Sequence, residues 1–221
     1  MNFAVILSGC GQHDGSETHE VITTLLSIEQ ENHQWFAYAP DRTQSRVIDH
    51  LTNKESVSES REILLESARL TRGKIKPLSE IKLENIDAII FPGGFGAVTN
   101  WCNWLSAGTD FVIEPDIAKL VMNSKERNLP MGFICIAPVM IAKLFTNPIL
   151  TIGNDKLIAE KLESLGATHI ECSATEVVVD EKNMLVSTPA NMLASNLLEL
   201  HSGIRKLVQH AALLSKKNRS K

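Results

Sequence analysis

The chain has 221 residues, of which 43% are hydrophobic and 22% are charged, and its formal net charge is −4. This composition is typical of a globular protein with one sizeable core, and we predict a single domain over residues 1–221. The negative charge argues against nucleic acid as a partner, because phosphate binding needs a basic face. No run approaches the ~18 consecutive apolar residues of a membrane span, so we expect no membrane partner.

The cysteine content and the N-terminal segment predict a compartment. The four cysteines are Cys10, Cys102, Cys135 and Cys172, and no two of them form a CxxC pair. The segment MNFAVILSGCG is apolar but lacks a basic n-region, so it predicts a first strand rather than a signal peptide. We therefore expect a reducing cytoplasm and free thiols.

Short apolar runs alternate with helical periodicities along the chain. The predicted strands are 2–7, 34–40, 86–91, 131–135, 150–153, 169–172, 176–180 and 184–189. The predicted helices are 16–32, with Ser16 as its N-cap, 58–70, 115–128, 137–145, 156–165 and 191–214. This alternation predicts an α/β fold, a flavodoxin-like, doubly wound and mainly parallel sheet with helices on both faces. The last two strands flank residues 180–183, which predicts a small antiparallel hairpin at one edge.

Three segments with unusual residues follow predicted strands, where open α/β sheets bind ligands. They are SGCGQHDGSETHE, PGGFG and CIAP. Cys135 lies between a strand and a predicted helix, whose positive end favours a thiolate. A buried, unreactive thiol is the alternative interpretation. Gly93 and Gly94 let the backbone approach a ligand closely, and the N–H groups of Gly94 and Ile136 are candidate oxyanion donors.

The sequence gives no sign of a bound cofactor. The loop PGGFG is not the dinucleotide fingerprint GxGxxG, and no GxxxxGK[ST] phosphate loop is present. No HExxH motif or clustered Cys/His spacing suggests a metal. We therefore expect neither a metal nor an organic cofactor.

Two glutamates begin the first predicted helix, and either is a candidate partner for the cysteine. The helix dipole favours acids at this position, while a carboxylate near a thiol can instead act as a proton shuttle. Glu17 continues the apolar row of Val21, Leu25 and Ile28, so it should lean toward the sheet. Glu20 lies off that row, so periodicity alone does not select it.

Several motifs together resemble a known family. VILSGCG, DGSETHE, FPGGFGA and GFICIAP, in this order, are similar to the ElbB group of the PfpI-like superfamily, which is related to class I glutamine amidotransferase domains. APDRTQSRVIDHLT, ESARLTRG and LTIGND also resemble the group. The resemblance implies a flavodoxin-like fold, a homodimer and a link to isoprenoid biosynthesis for which the residues offer no reason.

The resemblance also implies roles for individual residues. It implies that Cys135 is the nucleophile at a tight turn and that Glu20 hydrogen-bonds its sulfur, with Glu17 as the fallback. The oxyanion donors would be the N–H groups of Gly94 and Ile136. Cys10 would lie near the same pocket, behind the residues that touch substrate.

The activity implied by the resemblance is cofactor-free conversion of glyoxal, a small dicarbonyl, to glycolate. Related families use a Cys–His–Glu triad or carry a histidine directly after the cysteine, where this chain has Ile136. No motif selects His13, His19 or His169 as a replacement. Two alternatives stay open: a thiol-based redox sensor or regulatory protein, and a related amidase or deglycase.

Overall fold

The predicted alternation of strands and helices is present in the computed structural model, which describes residues 1–219. The strands are β1 (Asn2–Ile6), β2 (Gln34–Ala39), β3 (Ile48–Asp49), β4 (Lys54–Glu55), β5 (Ile75–Pro77), β6 (Ala88–Phe91), β7 (Met131–Ile134), β8 (Ile149–Leu150), β9 (Thr168–His169), β10 (Val178–Asp180) and β11 (Leu185–Thr188). The helices are α1 (Thr18–Gln30), α2 (Ile63–Leu70), α3 (Gly96–Thr99), α4 (Trp104–Ala107), α5 (Pro115–Glu126), α6 (Val139–Leu144), α7 (Lys156–Ser164) and α8 (Leu197–Arg219).

A seven-stranded sheet forms the centre of the molecule, in the order β10–β11–β7–β6–β1–β2–β5. Every pairing in it is parallel except that of β10 with β11. Strands β1, β6 and β7 are almost wholly buried, as expected of parallel strands covered on both faces. The prediction of a mainly parallel, flavodoxin-like α/β sheet with a hairpin at one edge is therefore confirmed.

The longest helices pack beside one another. Helix α1 contacts α8 along its length, and α8 covers β7, where its Leu207 lies against Gly132. Within residues 1–219 no helix has the length and apolarity needed to cross a membrane.

Several element boundaries differ from the predictions. Helix α1 begins at Thr18, and its N-cap is Glu17 rather than Ser16. Helix α2 begins at Ile63 instead of 58, because Glu62 is held extended in a bridge with Thr43. The last helix begins at Leu197 instead of 191, because a 3₁₀ turn forms first at residues 190–192.

Other differences concern strands. Between the predicted strand 34–40 and the predicted helix 58–70, where the sequence predicts no element, β3 and β4 pair as a short antiparallel ladder. The prediction missed β5, the edge strand beside β2. Strands β8 and β9 pair with each other in a separate two-stranded sheet.

Candidate active site

Cys135 is the first residue after β7 and has an unusual backbone conformation. Its φ angle is +61°, which is uncommon for a residue other than glycine and marks a tight turn. Its N–H donates to the Thr188 carbonyl, 2.9 Å away, at the end of neighbouring β11. Residues 135–138 form a turn, and α6 begins only at Val139. The residue is 9% exposed, so the strand end presents a nearly enclosed thiol.

Three groups surround the Cys135 sulfur. The backbone N–H groups of Gly94 and Ile136 donate to it, and the Glu20 carboxyl forms a hydrogen bond with it. Burial, and then the charge of Glu20, raise the pKa of the Cys135 thiol well above its ordinary value. The expectation that a helix end would favour the thiolate is therefore wrong, since α6 starts too late and burial beside a carboxyl outweighs the two N–H groups.

Glu20 is completely buried at the sulfur. Its Oε2 accepts the Gly93 N–H at 2.8 Å, and its Oε1 accepts the Asn191 N–H at 3.3 Å. Burial, followed by the negative charge of Glu17, raises the pKa of Glu20 to about 8. At neutral pH this carboxyl therefore holds its proton, which it can donate to the sulfur.

The thiol and the carboxyl form one titrating unit. Two backbone N–H groups point at the sulfur and two at the carboxyl oxygens. Loss of a single proton leaves one negative charge between them, and these N–H groups stabilise it on either atom. A nucleophile and a proton carrier thus stand side by side, and within residues 1–219 neither forms an ion pair with a cation.

Glu17 occupies the position behind Glu20. Its Oε2 accepts the Glu20 N–H at 2.7 Å, which caps α1, and its Oε1 lies 3.3 Å from Nδ1 of His19. Glu17 is the N-cap of α1, and its backbone has an extended rather than a helical conformation. The helical periodicity that aligned it with Val21, Leu25 and Ile28 therefore does not apply to it. Of the two candidate glutamates, the structure thus brings Glu20 to the sulfur.

The glycine loop leaves no room for side chains. A Cβ on Gly93 would lie 2.5 Å from the Cβ of Cys135 and 2.8 Å from Oε2 of Glu20. Gly94 has a φ of +93°, and a Cβ there would lie 2.4 Å from the Gly15 carbonyl oxygen. The loop can therefore approach Cys135 only because these two residues are glycine.

Cys10 forms no hydrogen bond with Cys135 or Glu20 within residues 1–219. It forms an isolated bridge with Ser16, and its thiol bonds to Thr18. Burial and the charge of Glu66 raise its pKa. The second-layer role for Cys10 stays a prediction.

None of the candidate histidines has a recorded contact with Cys135 within residues 1–219. His13 lies over Phe95, with ring centroids 6.1 Å apart. His19 is exposed beside Glu17. Nε2 of His169 accepts the Ile152 N–H at 3.3 Å, far along the chain in the β8–β9 region.

Sequence reasoning missed one part of the site, the turn after β11. Ala190 has a φ of +48° and is fully buried, and Asn191 then donates its N–H to Glu20. A backbone donor leaves no residue-type signal, although the PAN sequence after a strand is a recognisable turn. In the described part of the chain, no group of three or more His, Cys, Asp or Glu is arranged to hold a metal ion.

Comparison with known proteins places this site in a family. The chain is 37% identical to the mitochondrial ES1 protein homolog of Rattus norvegicus, over 97% of this chain and 84% of the rat protein. The chain belongs to the ES1 family. The human mitochondrial glutamine amidotransferase-like class 1 domain-containing protein 3 is also 37% identical, over 97% of this chain and 83% of the human one. No family model matches the chain.

A solved structure supports the same grouping. It is an isoprenoid biosynthesis protein with an amidotransferase-like domain from Ehrlichia chaffeensis, 31% identical, with a TM-score of 0.88 over 96% of this chain and 99% of that one. DJ-1 superfamily structures at 16% and 14% identity, with TM-scores of 0.58 and 0.54, share the fold alone. This ES1-family chain therefore has the amidotransferase-like fold that the resemblance implied.

Proposed function

We propose that this protein is a cysteine-dependent, cofactor-free glyoxalase that converts glyoxal to glycolate. The observation that carries the proposal is the Cys135–Glu20 pair, in which a fully buried carboxyl with a pKa of about 8 bonds to the sulfur. A carboxyl that is protonated near neutral pH can both give and take a proton during one reaction. Isomerisation of a dialdehyde needs this combination and needs no external oxidant.

The steps balance within the pair and its substrate. The reactive form is the pair after loss of one proton, with the charge on the sulfur and the remaining proton on Glu20. The Cys135 thiolate of this form adds to one aldehyde carbon, and the oxygen of the resulting hemithioacetal takes the proton of Glu20. The Glu20 carboxylate then removes the hydrogen of that carbon as a proton and returns it to the neighbouring carbon, while the hydroxyl proton of the hemithioacetal passes to the neighbouring oxygen. The first carbon thereby becomes a thioester and the second an alcohol. Water hydrolyses the resulting thioester, and glycolate leaves. One aldehyde carbon is oxidised and the other reduced, so no electrons are exchanged with a cofactor.

Backbone donors support the first step. The N–H groups of Gly94 and Ile136, which contact the sulfur, are the proposed donors to the oxygen that develops negative charge. The N–H of Gly93 holds the carboxyl of Glu20. Gly93 and Gly94 together form a glycine wall beside the sulfur.

The test is glyoxal turnover by four variants. We expect Cys135→Ala to abolish turnover and Glu20→Gln to lower kcat at least ~100-fold, because proton transfer by a positioned carboxyl contributes on this order. Glu17→Gln should have a milder effect, since Glu17 only caps α1 and adjoins Glu20. Cys172→Ala is the matched control, because that half-buried thiol instead bonds to Thr151. Full activity of Cys135→Ala would end the proposal.

Two other functions remain as alternatives to be measured. Turnover of an amide or a glycated amine, with none of glyoxal, would identify an amidase or deglycase. Fast, reversible oxidation of Cys135 by peroxide with negligible turnover would identify a redox sensor. The burial of the thiol and its raised pKa disfavour the sensor, because peroxide reacts with an accessible thiolate.

We also propose a cytoplasmic location, on the ground of four free cysteines. The rat and human relatives are named as mitochondrial proteins. Cell fractionation with antibody detection would decide between the two compartments. A link to isoprenoid biosynthesis is named for the Ehrlichia protein and is a further proposal here.

A further inference from the structure

Arg46 lies in the loop after β2 and is held against the loops that carry the site. Its Nη2 donates to the His13 carbonyl at 3.0 Å, and its Cζ lies 6.0 Å from the centroid of the Phe95 ring. Its Nε is buried and has no hydrogen-bond partner. The guanidinium is therefore fixed in place with one donor unused.

Arg46 also lacks a direct ion pair in the described part of the chain. Within residues 1–219 no carboxylate lies within salt-bridge distance of it, whereas Arg42 pairs with Asp116 and Arg61 pairs with Glu59. A partly buried cation without a counter-charge is unfavourable, so such residues commonly meet an anion.

Hydrogen bonding is incomplete elsewhere in the same loops. Oδ1 of Asp14 and Oε1 of Gln44 are buried without partners, although Oδ2 of Asp14 accepts the Ile48 N–H at 2.7 Å. Both atoms are acceptors, so they require a hydrogen-bond donor such as water and do not themselves attract an anion.

These loops adjoin the reactive cysteine. Phe95, on which Arg46 lies, directly follows Gly94, whose N–H contacts the sulfur of Cys135. The N–H of Phe95 donates to the Gln12 carbonyl at 2.7 Å, which fastens the glycine loop to the loop that holds His13. A substrate bound at the sulfur can therefore extend along Phe95 toward Arg46.

We propose that Arg46 forms a carboxylate-binding subsite beside Cys135, so that the substrate is an aldehyde or α-oxoaldehyde whose non-reacting end carries a carboxylate. Arginine presents paired donors that match a carboxylate, and Arg46 has an unused Nε–H and, within residues 1–219, no ion-pair partner. The identity of the reacting group rests on the proposed function. The preference for an anion does not, because it follows from the charge of Arg46.

The experiment compares two thiol-alkylating probes of similar size, anionic iodoacetate and neutral iodoacetamide. Their rates at Cys135 are followed by mass spectrometry of the peptide that carries this residue, in the intact protein at one pH. We expect Arg46→Gln to lower the iodoacetate-to-iodoacetamide rate ratio about three- to tenfold. This is the size of effect expected when one nearby positive charge, partly screened by solvent, is removed. Arg46→Lys, which keeps the charge, should retain part of the ratio.

Arg127→Gln is the matched control. Arg127 is exposed and precedes the amino end of β7, so the strand separates it from Cys135, and the ratio should not change. An unchanged ratio in Arg46→Gln, with wild-type thermal stability, would overturn the inference. Alkylation needs no turnover, so absence of glyoxalase activity with a ratio that depends on Arg46 would reject the proposed function alone.

Discussion

At the scale of single residues, main-chain donors replace the cation that a thiol–histidine pair would supply. Gly94 and Ile136 donate to the sulfur, while Gly93 and Asn191 donate to the Glu20 carboxyl. These groups carry no charge that titrates, so the protonation of the pair is set by burial and by Glu17. The pKa values of the pair thus depend on burial and on the negative charge of Glu17.

The raised pKa of Glu20 predicts how stability depends on pH. The carboxyl has a pKa of about 8 in the fold against 4.5 for an ordinary glutamate, so the folded state holds this proton where the unfolded state has lost it. The contribution of protonated Glu20 to the free energy of unfolding is therefore fully present below pH 4.5 and is lost as the pH rises to about 8. Over that window Glu20 should lower the free energy of unfolding by up to ~1.4 kcal/mol per pH unit.

Urea unfolding of wild type and Glu20→Gln between pH 5 and pH 8 measures this effect. The Gln variant should show a flatter dependence on pH, whatever its absolute stability, because its amide does not titrate. Glu84→Gln, at an exposed position, should keep the wild-type slope. Identical slopes for wild type and Glu20→Gln would contradict the assignment.

The sequence predicts the site only in part at this scale. Cys135, Gly93 and Gly94 are identifiable because a cysteine or glycines directly follow an apolar run. Choosing Glu20 over Glu17 required the resemblance, because helical periodicity does not describe an N-cap residue. Asn191 was missed because it contributes a main-chain N–H, and the Arg46 contacts depend on tertiary packing between loops.

At the scale of secondary-structure elements, one side chain joins the loops around the site. Asn100, at the end of α3, is buried, and its Nδ2 donates to the carbonyls of Ser8 at 2.8 Å and Asp14 at 2.9 Å. Its Oδ1 accepts the backbone N–H and the hydroxyl of Ser45, at 2.8 and 3.0 Å. The loops after β1 and β2 are thereby held to α3.

Removing this junction should destabilise the protein. Asn100→Ala leaves the carbonyls of Ser8 and Asp14 and the N–H of Ser45 without this partner. Each buried group that stays unsatisfied lowers the free energy of unfolding by about 1–3 kcal/mol. Asn100→Asp keeps the acceptor for Ser45 but lacks both donors, so we expect it to lose stability as well. Urea unfolding measures both, and Asn154→Ala, at an exposed loop position, should stay within about 0.5 kcal/mol of wild type. Wild-type stability of Asn100→Ala would refute this role.

The sequence predicted the strands that are buried on both faces and the β10–β11 hairpin, but it missed the edge strand β5. Strands β1, β6 and β7 are runs of apolar residues and were found from the sequence. Strand β5 reads Ile-Lys-Pro, which is too short and too polar to signal a strand, and it exists because β2 offers an edge to pair with. Helix α2 starts late for a similar reason, since pairing with Thr43 outweighs local propensity.

At the scale of the whole molecule, the strand order brings the site together. Strands β6, β7 and β11 are parallel neighbours, so their carboxyl ends meet and place Gly93, Cys135 and Asn191 side by side. Residues separated by about half of the chain thus form one pocket. Local sequence patterns locate each strand end, but only the strand order shows that these ends lie next to one another.

We predict a homodimer for the whole molecule, from the family resemblance. Sedimentation equilibrium at micromolar concentration should give twice the chain mass of 24.4 kDa. The Cys135→Ala variant serves as control, because a buried thiol should not affect assembly. A mass equal to one chain at all concentrations would reject the dimer.

The absence of side chains from the glycine wall has a consequence for how this protein can diversify. A methyl group at Gly93 would collide with Cys135 and Glu20, and one at Gly94 would collide with the Gly15 carbonyl. New substrate preferences, in nature or in directed evolution, must therefore arise from substitutions at neighbouring positions such as Phe95, Arg46 and Asn191. Mutational libraries confined to those positions should retain reactivity at the sulfur while they alter the range of molecules accepted.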